Sequence, residues 1–293
     1  MMSICAIILT YNEEIHIARA IGSISAVVDK IIIIDSHSSD RTAVIATDMG
    51  ASVVCNDFVN HASQLNFGIE HAKNLGFDWI FRLDADEFID ENLQREINRI
   101  RTSRTDYTAF TVNRYVTFMG DMVRYGGLFP VKVVRLFKAT VSHCEQRWMD
   151  EHIITSGRIG KLDGQLIDDS LKSMTWWTQK HNDYASREAI ELLLQTNRGK
   201  SVELHGQAKI KRMIKLYLYN QLPKFLRARL YYWYRMYLKL GILDKRKARK
   251  FHFFQAYWYR SLVDLKVHEV KNFQKREKCS LEVAIFKKLG IQI

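Results

Sequence analysis

The stretch Trp79-Ile80-Phe81-Arg82-Leu83-Asp84-Ala85-Asp86-Glu87 is an apolar run that leads into three carboxylates. It is typical of a buried strand, and side chains at positions i and i+2 of an extended chain point to the same side. Asp84 and Asp86 can therefore face one hard divalent cation together, because Mg²⁺ and Mn²⁺ prefer carboxylate oxygens. A solvated acidic turn after a strand has the same pattern, so the neighbouring segments must decide between the two interpretations.

The residues before this stretch alternate between strands and helices. The predicted strands cover residues 4–9, 31–34 and 51–55, and the predicted helices cover residues 14–24, 41–49 and 61–75. Residues 31–34 are all isoleucine, which is expected of a strand covered on both faces. Strands that alternate with helices of this length predict an α/β fold with a mostly parallel, doubly wound sheet and helices on both faces.

The pattern changes after Glu91. A helix over residues 91–100 precedes strand-like segments at 107–116 and 131–137, which are expected to extend the sheet with strands of mixed direction. From Met174 onward the sequence is mainly helical. We expect one α/β domain over residues 1–173, with halves at about 1–90 and 91–173, and a helical, basic and aromatic region over residues 174–293.

Polar side chains follow the first two predicted strands. Thr10, Tyr11, Asn12 and Glu13 come after the first strand, and residues 35–40 (Asp-Ser-His-Ser-Ser-Asp) come after the second. Because ligands bind at the carboxyl ends of strands in open α/β sheets, these loops and the acidic stretch are expected to form one site. Asn, Asp and Ser also favour turns and helix caps, so ordinary loop chemistry explains each segment taken alone.

Taken together, these segments resemble the family 2 glycosyltransferases, the inverting nucleotide-sugar enzymes with the Rossmann-like GT-A fold. The resemblance rests on residues 9–14 (Leu-Thr-Tyr-Asn-Glu-Glu), 34–42 (Ile-Asp-Ser-His-Ser-Ser-Asp-Arg-Thr) and 83–87 (Leu-Asp-Ala-Asp-Glu), and it covers residues 3–90. Each motif alone is weak, whereas their order and spacing are specific. The chain is similar to the bacterial branch that builds lipopolysaccharide core, O-antigen or exopolysaccharide.

The resemblance implies a nucleotide-sugar site, with UDP as the usual carrier, in which Asp84 and Asp86 hold Mg²⁺ or Mn²⁺ and the diphosphate. The positions implied for donor binding are Thr10, Tyr11, Asn12, Glu13, Asp35, Ser38, Gln64, Asn66, Asp84, Ala85 and Asp86. Many family members have a doubled Asp where this chain has Asp35-Ser36. A frequent Arg-Asn pair is replaced here by Gln64-Leu65-Asn66, so Gln64 and Asn66 are expected to supply neutral hydrogen bonds instead.

An inverting transfer needs a general base that deprotonates the acceptor hydroxyl as it attacks the anomeric carbon. Trp148-Met149-Asp150-Glu151-His152 lies where the family keeps its catalytic acid, in the acceptor half of the domain. Asp150 is favoured as the base and Glu151 is its rival, while a surface acidic turn is the alternative. His152 would orient the base or contact phosphate.

A second segment, residues 176–185, is also similar to this bacterial branch. It implies that Lys180 and His181 meet the diphosphate and that Trp177 helps to form the floor of a sugar site. A helix that packs its aromatic side chains in a core explains the tryptophan equally well.

The net charge of +12 is unevenly distributed along the 293 residues. Between Lys209 and Lys250 bases recur among aromatic and leucine side chains, and Asp244 is the only acid. This pattern predicts an interfacial helix on an anionic membrane surface, which suits a lipid-linked saccharide acceptor. A helical hairpin packed on the catalytic domain is the alternative. No nucleic-acid partner is expected, and the sequence does not indicate an oligomeric state.

The four cysteines are far apart and form no CxxC pair, which fits a reducing cytosol. The amino terminus lacks the pattern of a signal peptide, and no apolar run approaches the roughly 20 residues of a spanning helix. We expect a cytoplasmic protein that is peripheral on the inner face of the cell membrane.

Other classes of protein fit the sequence less well. A phosphatase of the haloacid-dehalogenase type has Asp-x-Asp after its first strand, with Thr or Val where this chain has Phe88. The chain has no glycine-rich loop of a nucleotidyltransferase near its start, and neither GxGxxG nor GxxxxGKS occurs. A non-catalytic basic protein that binds a membrane or nucleic acid remains the alternative, and metal-dependent nucleotide binding would distinguish the two.

Overall fold

The structure, a computed structural model, describes residues 2–146, 151–197, 223 and 226–293. Asp150, with Trp148 and Met149, lies outside the described residues. So does the first part of the basic and aromatic segment, which includes Lys211, Arg212, Lys215, Tyr217, Tyr219, Leu222, Lys224 and Phe225. The chain divides into two compact units, Met1–Arg124 with Leu128–Leu171 and Tyr125–Gly127 with Lys172–Ile293.

The first unit is a mixed sheet with helices. Its strands are β1 (Ile4–Thr10), β2 (Lys30–Asp35), β3 (Ser52–Cys55), β4 (Trp79–Asp84), β5 (Glu87–Ile89), β6 (Tyr107–Phe118), β7 (Asp121–Val123), β8 (Val131–Lys138), β9 (Ser142–Cys144), β10 (Ile153–Thr155) and β11 (Arg158–Asp168). Its helices are α1 (Ile17–Ile24), α2 (Thr42–Asp48), α3 (His61–Asn74) and α4 (Glu91–Arg101), with 3₁₀ turns at Ser25–Val27 and Ala139–Val141. The predicted α/β class is confirmed.

The strands follow the order β3-β2-β1-β4-β8-β6-β11-β5, and β7 pairs with β6. β3, β2, β1 and β4 are parallel neighbours and form the doubly wound part of the sheet. Beyond β4 the direction is mixed, since β8 is antiparallel to β4 and β6 whereas β11 is parallel to β6. β9 and β10 form a separate antiparallel pair. The expected extension by mixed strands is therefore present.

Strands β1 and β2 are buried on both faces because their alternate side chains enter two different hydrophobic clusters. In β2, Ile31 and Ile33 pack in the cluster that contains α1, whereas Ile32 and Ile34 pack in the cluster that contains α3. The side chains of β1 divide in the same way. Burial on both faces explains why these strands are continuous apolar runs, as is usual in parallel sheets covered by helices.

The sequence pattern does not predict β11, because glycines interrupt its alternation of apolar and polar residues. Gly164 is required by packing, since a Cβ atom there would lie 2.4 Å from the backbone N and Cα of Leu93 in α4. The pairing of β11 with β6 is irregular between Lys161 and Gln165. Glycine inside a strand marks a bulge or a close backbone approach, and both occur here.

The second unit is helical, which confirms the helical carboxyl-terminal region. Its helices are α5 (Met174–Asn197), α6 (Leu226–Trp233), α7 (Arg246–His252), α8 (Tyr259–Glu277) and α9 (Leu281–Leu289), with π-helical turns at Tyr234–Leu238 and Phe253–Trp258 and a 3₁₀ turn at Gly241–Leu243. Side chains of α5, α8 and α9 share one hydrophobic core. Among the described residues, no helix combines the length and the hydropathy that crossing a bilayer requires.

Buried hydrogen bonds link Arg235, His252, Asp244 and the backbone of Tyr125 within the second unit. The Arg235 guanidinium donates to Nδ1 of His252 (2.8 Å), and Nε2 of His252 donates to Oδ2 of Asp244 (2.8 Å). Asp244 also accepts from the backbone N–H of Tyr125. Because a guanidinium only donates, His252 is neutral and carries its proton on Nε2. Burial lowers the pKa of His252, and the charge of Arg235 lowers it further. The hydrogen bond to Asp244 and the charge of Asp244 raise this pKa, but the net shift is downward.

Acidification is expected to destabilise the protein through His252. Its pKa in the folded state lies below the ordinary value of about 6.5, so the unfolded chain takes up a proton first as the pH falls. The stabilisation is complete above about pH 6.5 and is lost below that value, toward the folded-state pKa. Urea unfolding at pH 7.5 and pH 5.5 tests this. The free energy of unfolding should decrease more in the wild type than in His252→Gln, and equal decreases would contradict the prediction.

Candidate functional site

Three loops begin at neighbouring strand ends in the first unit. The pairing of β1 with β2 places Thr10 opposite Asp35, and the pairing of β1 with β4 places Leu9 opposite Asp84. Since the three strands are parallel, the loops that follow them leave the same edge of the sheet, where α/β folds bind ligands. The polar segments that the sequence indicates therefore lie at one edge.

Hydrogen bonds tie the loops after β1 and β2 together. Thr10 Oγ1 donates to Asp35 Oδ1 (2.6 Å). Ser38 donates to both oxygens of Asp35, from its hydroxyl to Oδ1 (2.6 Å) and from its backbone N–H to Oδ2 (2.7 Å). The N–H of Asn12 donates to Ser38 Oγ (2.9 Å), and Asn12 Oδ1 accepts from the N–H of Ser39 (2.8 Å). Asp35 is 2% exposed, so this carboxylate organises the two loops.

The loop after β1 combines this rigid polar frame with one exposed aromatic ring. Asn12 has φ 55°, in the left-handed region that Asn tolerates better than most residues. The preceding Tyr11 is 62% exposed, whereas Thr10 is buried. Contacts of Thr10, Tyr11, Asn12, Glu13, Asp35 and Ser38 with a nucleotide stay predictions.

The acidic stretch is not a continuous extended chain. Strand β4 ends at Asp84, Ala85 and Asp86 form a turn, and β5 begins at Glu87. The extended spacing that the sequence suggests is therefore absent at Ala85 and Asp86, and the joint binding of one cation by Asp84 and Asp86 stays a prediction. The backbone oxygen of Asp86 accepts from the N–H of Asp169 (3.0 Å), which holds the turn against the end of β11.

Asp84 lies in a cluster of ion pairs that the motifs do not reveal. Its Oδ1 is 3.2 Å from Nε of Arg82, and its Oδ2 is 3.0 Å from Nη2 of Arg135. The same nitrogen of Arg135 is 2.7 Å from Oε1 of Glu87, and Nε of Arg114 is 3.0 Å from that oxygen. Glu87 is 1% exposed, whereas the Asp84 side chain is 32% exposed. Of these two acids, only Asp84 reaches solvent to any extent.

The cluster also shifts the pKa values of Asp84 and Glu87 in opposite directions. Burial would raise the pKa of Asp84, but the charges of Arg135 and Arg82 outweigh burial and hold this pKa well below its usual range. Burial raises the pKa of Glu87, although the charge of Arg135 opposes the shift. Asp84 is therefore ionised at neutral pH and offers a full negative charge at the edge of the sheet.

The carboxylates of Asp84 and Asp86 are chemically suited to bind a hard divalent cation. An ionised carboxylate has more lone pairs than two arginine contacts use, so Asp84 can accept a further contact. Mg²⁺ is usually held by one or two carboxylates together with substrate phosphates, and Asp84 and Asp86 can supply the carboxylates. Within the part of the chain that the structure describes, no group of three His, Cys, Asp or Glu side chains is arranged to hold a metal ion.

Gln64 and Asn66 use their amide groups inside the protein. Gln64 is 1% exposed, and its Nε2 donates to Ser36 Oγ (3.0 Å) and to the backbone oxygen of Asn56 (3.1 Å). Asn66 pairs with the backbone of Cys144 in β9 through both its Oδ1 and its Nδ2 (2.8 Å each). These contacts position the loops after β2 and β3 and strand β9. Direct hydrogen bonds from Gln64 or Asn66 to a nucleotide remain a prediction that would require these contacts to change.

The structure places one of the two candidate bases near Asp84. Oε1 of Glu151 is 3.4 Å from Nη2 of Arg82, the residue that also pairs with Asp84, and the Glu151 side chain is 15% exposed. His152 instead has its Nδ1 3.1 Å from Oε1 of Glu145 and a side chain that is 67% exposed. Because Asp150 lies outside the described residues, the choice between Asp150 and Glu151 stays open.

Trp177, Lys180 and His181 lie on α5, in the second unit. The rings of Trp177 and His181 stack with their centroids 3.6 Å apart, and His181 Nδ1 donates to the backbone oxygen of Trp177 (2.9 Å). Trp177 also contacts the rings of Phe254 and Trp258. Burial lowers the pKa of His181. Packing thus accounts for the aromatic rings, and contact with a diphosphate or a sugar stays a prediction.

His16 and Arg19 connect the site loops to the end of β11, and the sequence motifs do not include them. The Leu171 N–H donates to Nε2 of His16 (2.8 Å), so the His16 proton is on Nδ1 and is donated to Oε2 of Glu13 (2.6 Å). Arg19 donates to the carboxylate of Asp169 (2.5 Å) and to the backbone oxygen of Asp86 (3.3 Å). His16 directly precedes α1 and is 1% exposed, and a buried polar residue requires such partners.

Replacing His16 by alanine is expected to lower the free energy of unfolding by about 1–3 kcal/mol, because the Glu13 carboxylate and the Leu171 N–H lose a buried partner. Urea unfolding measures the change. His143→Ala, at an exposed position of β9, is the control and should change the free energy by less than about 0.5 kcal/mol. A loss no larger than that of the control would show that His16 does not join these segments.

Comparison with known proteins finds a family that is similar to the part of the chain that forms this sheet edge. Residues 5–145 match the family model described as glycosyl transferase family 2. The matched residues contain the loops after β1 and β2 and the turn at Asp84–Asp86. Residues 5–145 are therefore similar to the family 2 glycosyltransferases, as the sequence resemblance predicts.

Two relatives extend the similarity beyond the matched segment. Over 206 residues the chain is 29% identical to an uncharacterized glycosyltransferase of Rickettsia typhi. This alignment covers 67% of this chain and 70% of the relative. Over 195 residues the chain is 23% identical to the lipopolysaccharide core biosynthesis glycosyltransferase LpsC of Rhizobium meliloti. This alignment covers 64% of this chain and 71% of the relative. Both relatives are described as glycosyltransferases, which agrees with the family match over residues 5–145.

Among solved structures, the chain is similar to glucosyl-3-phosphoglycerate synthase from Mycobacterium tuberculosis in complex with Mn²⁺, UDP and glucosyl-3-phosphoglycerate. The match covers 40% of this chain and less than half (44%) of that chain, at 21% identity and a TM-score of 0.31. A likeness of this size is too weak to support any inference about function.

Proposed function

We propose that this protein is an inverting, metal-dependent glycosyltransferase. It transfers a sugar from a nucleotide-sugar, with UDP as the expected carrier, to a saccharide or lipid-linked saccharide acceptor in bacterial surface polysaccharide synthesis. The observation that carries the proposal is the alignment of Thr10, Asp35 and Asp84 at the ends of three adjacent parallel strands. The rigid loop frame and the ionised Asp84 thereby lie at the edge where α/β folds bind nucleotides.

The donor site is assigned to the loops after β1, β2 and β4. The exposed ring of Tyr11 offers an apolar surface for a base, and the frame around Asp35 positions backbone groups for a ribose. Mg²⁺ or Mn²⁺ held by Asp84 and Asp86 would neutralise negative charge on the departing diphosphate. Arg19 and Asp169 support the backbone of Asp86 and keep the turn in place for this role.

The chemical step requires one proton acceptor. As the acceptor hydroxyl oxygen bonds to the anomeric carbon, the bond from that carbon to the diphosphate oxygen breaks, and the hydroxyl proton passes to a carboxylate. We assign this proton to Asp150, with Glu151 as the alternative. Glu151 shares Arg82 with Asp84, and this contact supports a place for the segment near the donor.

Asp150→Asn is expected to lower kcat by at least about 100-fold, because an amide cannot accept the proton. Donor binding should be unchanged, since the base contacts the acceptor. The measurement is steady-state transfer together with thermal stabilisation by the nucleotide. Glu151→Gln is the matched variant: if Asp150→Asn keeps the wild-type rate and Glu151→Gln loses it, Glu151 is the base.

The acceptor and the pathway rest on similarity. The relative LpsC is named for lipopolysaccharide core biosynthesis, and the similarity covers 64% of this chain. We therefore include lipopolysaccharide, O-antigen or exopolysaccharide synthesis in the proposal. An acceptor carried on a lipid would locate the enzyme at the inner face of the cell membrane.

Thermal unfolding with UDP, GDP, dTDP and CMP, each with and without Mn²⁺, tests the proposed function. A ligand that binds only the folded state raises its stability, by about 2.7 kcal/mol when its concentration is 100 times Kd. We expect one nucleotide to raise the melting temperature only when Mn²⁺ is present. If folded protein shows no shift with any of them at millimolar concentration, the proposal fails and a non-catalytic binding protein becomes the better interpretation.

A further inference from the structure

Residues 237–243 (Tyr-Leu-Lys-Leu-Gly-Ile-Leu), here called the apolar tip, expose several large aliphatic side chains. The exposed fractions are 63% for Leu238, 51% for Leu240, 42% for Ile242 and 59% for Leu243. Single exposed apolar side chains are normal on protein surfaces, whereas a concentration of them marks an interaction surface. The apolar tip therefore indicates a partner with an apolar region.

Buried polar contacts hold the apolar tip in place. Arg235 and Asp244, which lie on either side of it in the sequence, are both joined to His252. The backbone oxygen of Lys239 accepts from the N–H of Gly126 (2.8 Å). Gly241 has room only because it lacks a Cβ atom, which would lie 2.8 Å from the backbone oxygen of Arg235. The exposed side chains are thus presented by a preorganised backbone, which lowers the cost of ordering on binding.

Every exposed charge in residues 226–252 is positive. The exposed bases are Arg229, Lys239, Lys245, Arg246, Lys247, Arg249 and Lys250. Asp244 is the only acid in this range, and it is buried and paired with His252. The surface therefore complements a partner with dense negative charge.

Aliphatic side chains among the bases favour a lipid bilayer over nucleic acid. Nucleic acid would engage bases and aromatic rings, but it offers no apolar interior for exposed leucines. A bilayer accepts aliphatic side chains at the boundary with its acyl chains, tyrosine and tryptophan at the interface, and bases among anionic headgroups. Trp233 and Tyr237, which are 52% and 51% exposed, suit the interface.

We propose that residues 226–252 dock on an anionic lipid bilayer, with the apolar tip entering the membrane interface and the exposed bases contacting lipid phosphates. This deepens the proposed function by naming the surface that would bring the enzyme to a lipid-linked acceptor. The docking itself needs neither donor nor acceptor. Vesicle binding and nucleotide binding can therefore fail separately.

Flotation of the full chain with lipid vesicles tests the proposal. The wild type should bind vesicles that contain phosphatidylcholine and phosphatidylglycerol, and binding to phosphatidylcholine alone should be much weaker. The variant Leu238→Ser with Leu240→Asn should bind the anionic vesicles about tenfold more weakly, because two half-exposed leucines no longer leave water. Asn suits position 240, where φ is 58°.

A matched control removes comparable apolar surface elsewhere in the second unit. Val283→Ser with Phe286→Ser changes side chains of α9 that are 46% and 53% exposed, and it should bind vesicles like the wild type. The melting temperature without ligand should be close to that of the wild type in both double variants, which shows that each folds. If the tip variant does not fold, Lys245→Gln with Lys247→Gln replaces it and should weaken binding at low salt.

Two results would overturn the proposal. One is that the wild type binds anionic vesicles no more strongly than neutral ones. This result overturns the proposal whether or not the protein binds a duplex oligonucleotide. The other is that the tip variant binds anionic vesicles as strongly as the wild type. In that case the bases alone account for binding, and the apolar tip has a different partner.

Discussion

Replacing Asp86 by alanine is expected to lower the rate of sugar transfer at least about 1,000-fold, which corresponds to about 4 kcal/mol of lost transition-state stabilisation. The carboxylate is assigned to the cation that neutralises the departing diphosphate. Arg19 and Asp169 hold the turn through the backbone oxygen of Asp86, so these contacts survive the substitution. Steady-state transfer measures the rate, and Mn²⁺-dependent stabilisation by the nucleotide measures the binding that should disappear with it.

Glu91→Ala is the matched control for Asp86→Ala. Glu91 is a nearby acid at the start of α4, its side chain is 87% exposed, and its ion pair with Arg95 is long at 3.8 Å. Its replacement should leave both the rate and the nucleotide-dependent shift unchanged. The metal assignment would be wrong if Asp86→Ala kept the wild-type rate, or if its melting temperature without ligand fell enough to explain the loss.

Replacing Asp264 by alanine is expected to lower the free energy of unfolding by about 3–5 kcal/mol. Asp264 of α8 is fully buried, and its two oxygens pair with Nε (3.0 Å) and Nη2 of Arg227 in α6. Arg227 is itself 8% exposed, so the substitution removes a buried negative charge that pairs with its guanidinium. Urea unfolding of the full chain measures the loss.

Two variants make this stability test specific. Glu277→Ala breaks an exposed ion pair with Arg276 at the end of the same helix and should change the free energy by less than about 1 kcal/mol. Arg227→Met combined with Asp264→Leu removes both charges and should recover most of the stability, because apolar replacements of a buried pair are often neutral. A loss in Asp264→Ala no larger than that in Glu277→Ala would show that the pair contributes little.

The sequence was sufficient to predict the parallel part of the sheet. Because β1, β2 and β4 are buried on both faces, their sequences are mostly apolar runs. Such runs can be recognised without knowledge of the strand pairing. Strand β11 could not be predicted, because its side chains do not simply alternate between apolar and polar. Its Gly164 instead allows the backbone of β11 to approach α4 closely. The start of α1 at Ile17 also falls later than the periodicity suggests, since the chain from Glu13 first forms a turn.

The candidate site was predictable only where its residues lie in short segments. Asp84 and Asp86 are two positions apart in the sequence, and the loops after β1 and β2 contain recognisable polar runs. Arg114 and Arg135 come from β6 and β8, and only the assembly of the sheet brings them to Glu87 of β5. The one local signal for Arg135 is that it lies between apolar residues in the strand Val-Lys-Val-Val-Arg-Leu-Phe-Lys over residues 131–138. A residue of this kind needs a buried partner, but the sequence does not say which one.

The assignment of Tyr125–Gly127 to the second unit has a practical consequence for chimaeras made from related enzymes. The chain passes between the units three times, so no single junction separates them. A graft that exchanged only residues 172–293 would separate the Tyr125 N–H from the Asp244 carboxylate and the Gly126 N–H from the backbone of Lys239. Functional exchange of the helical unit between relatives should therefore require both segments to be transplanted together.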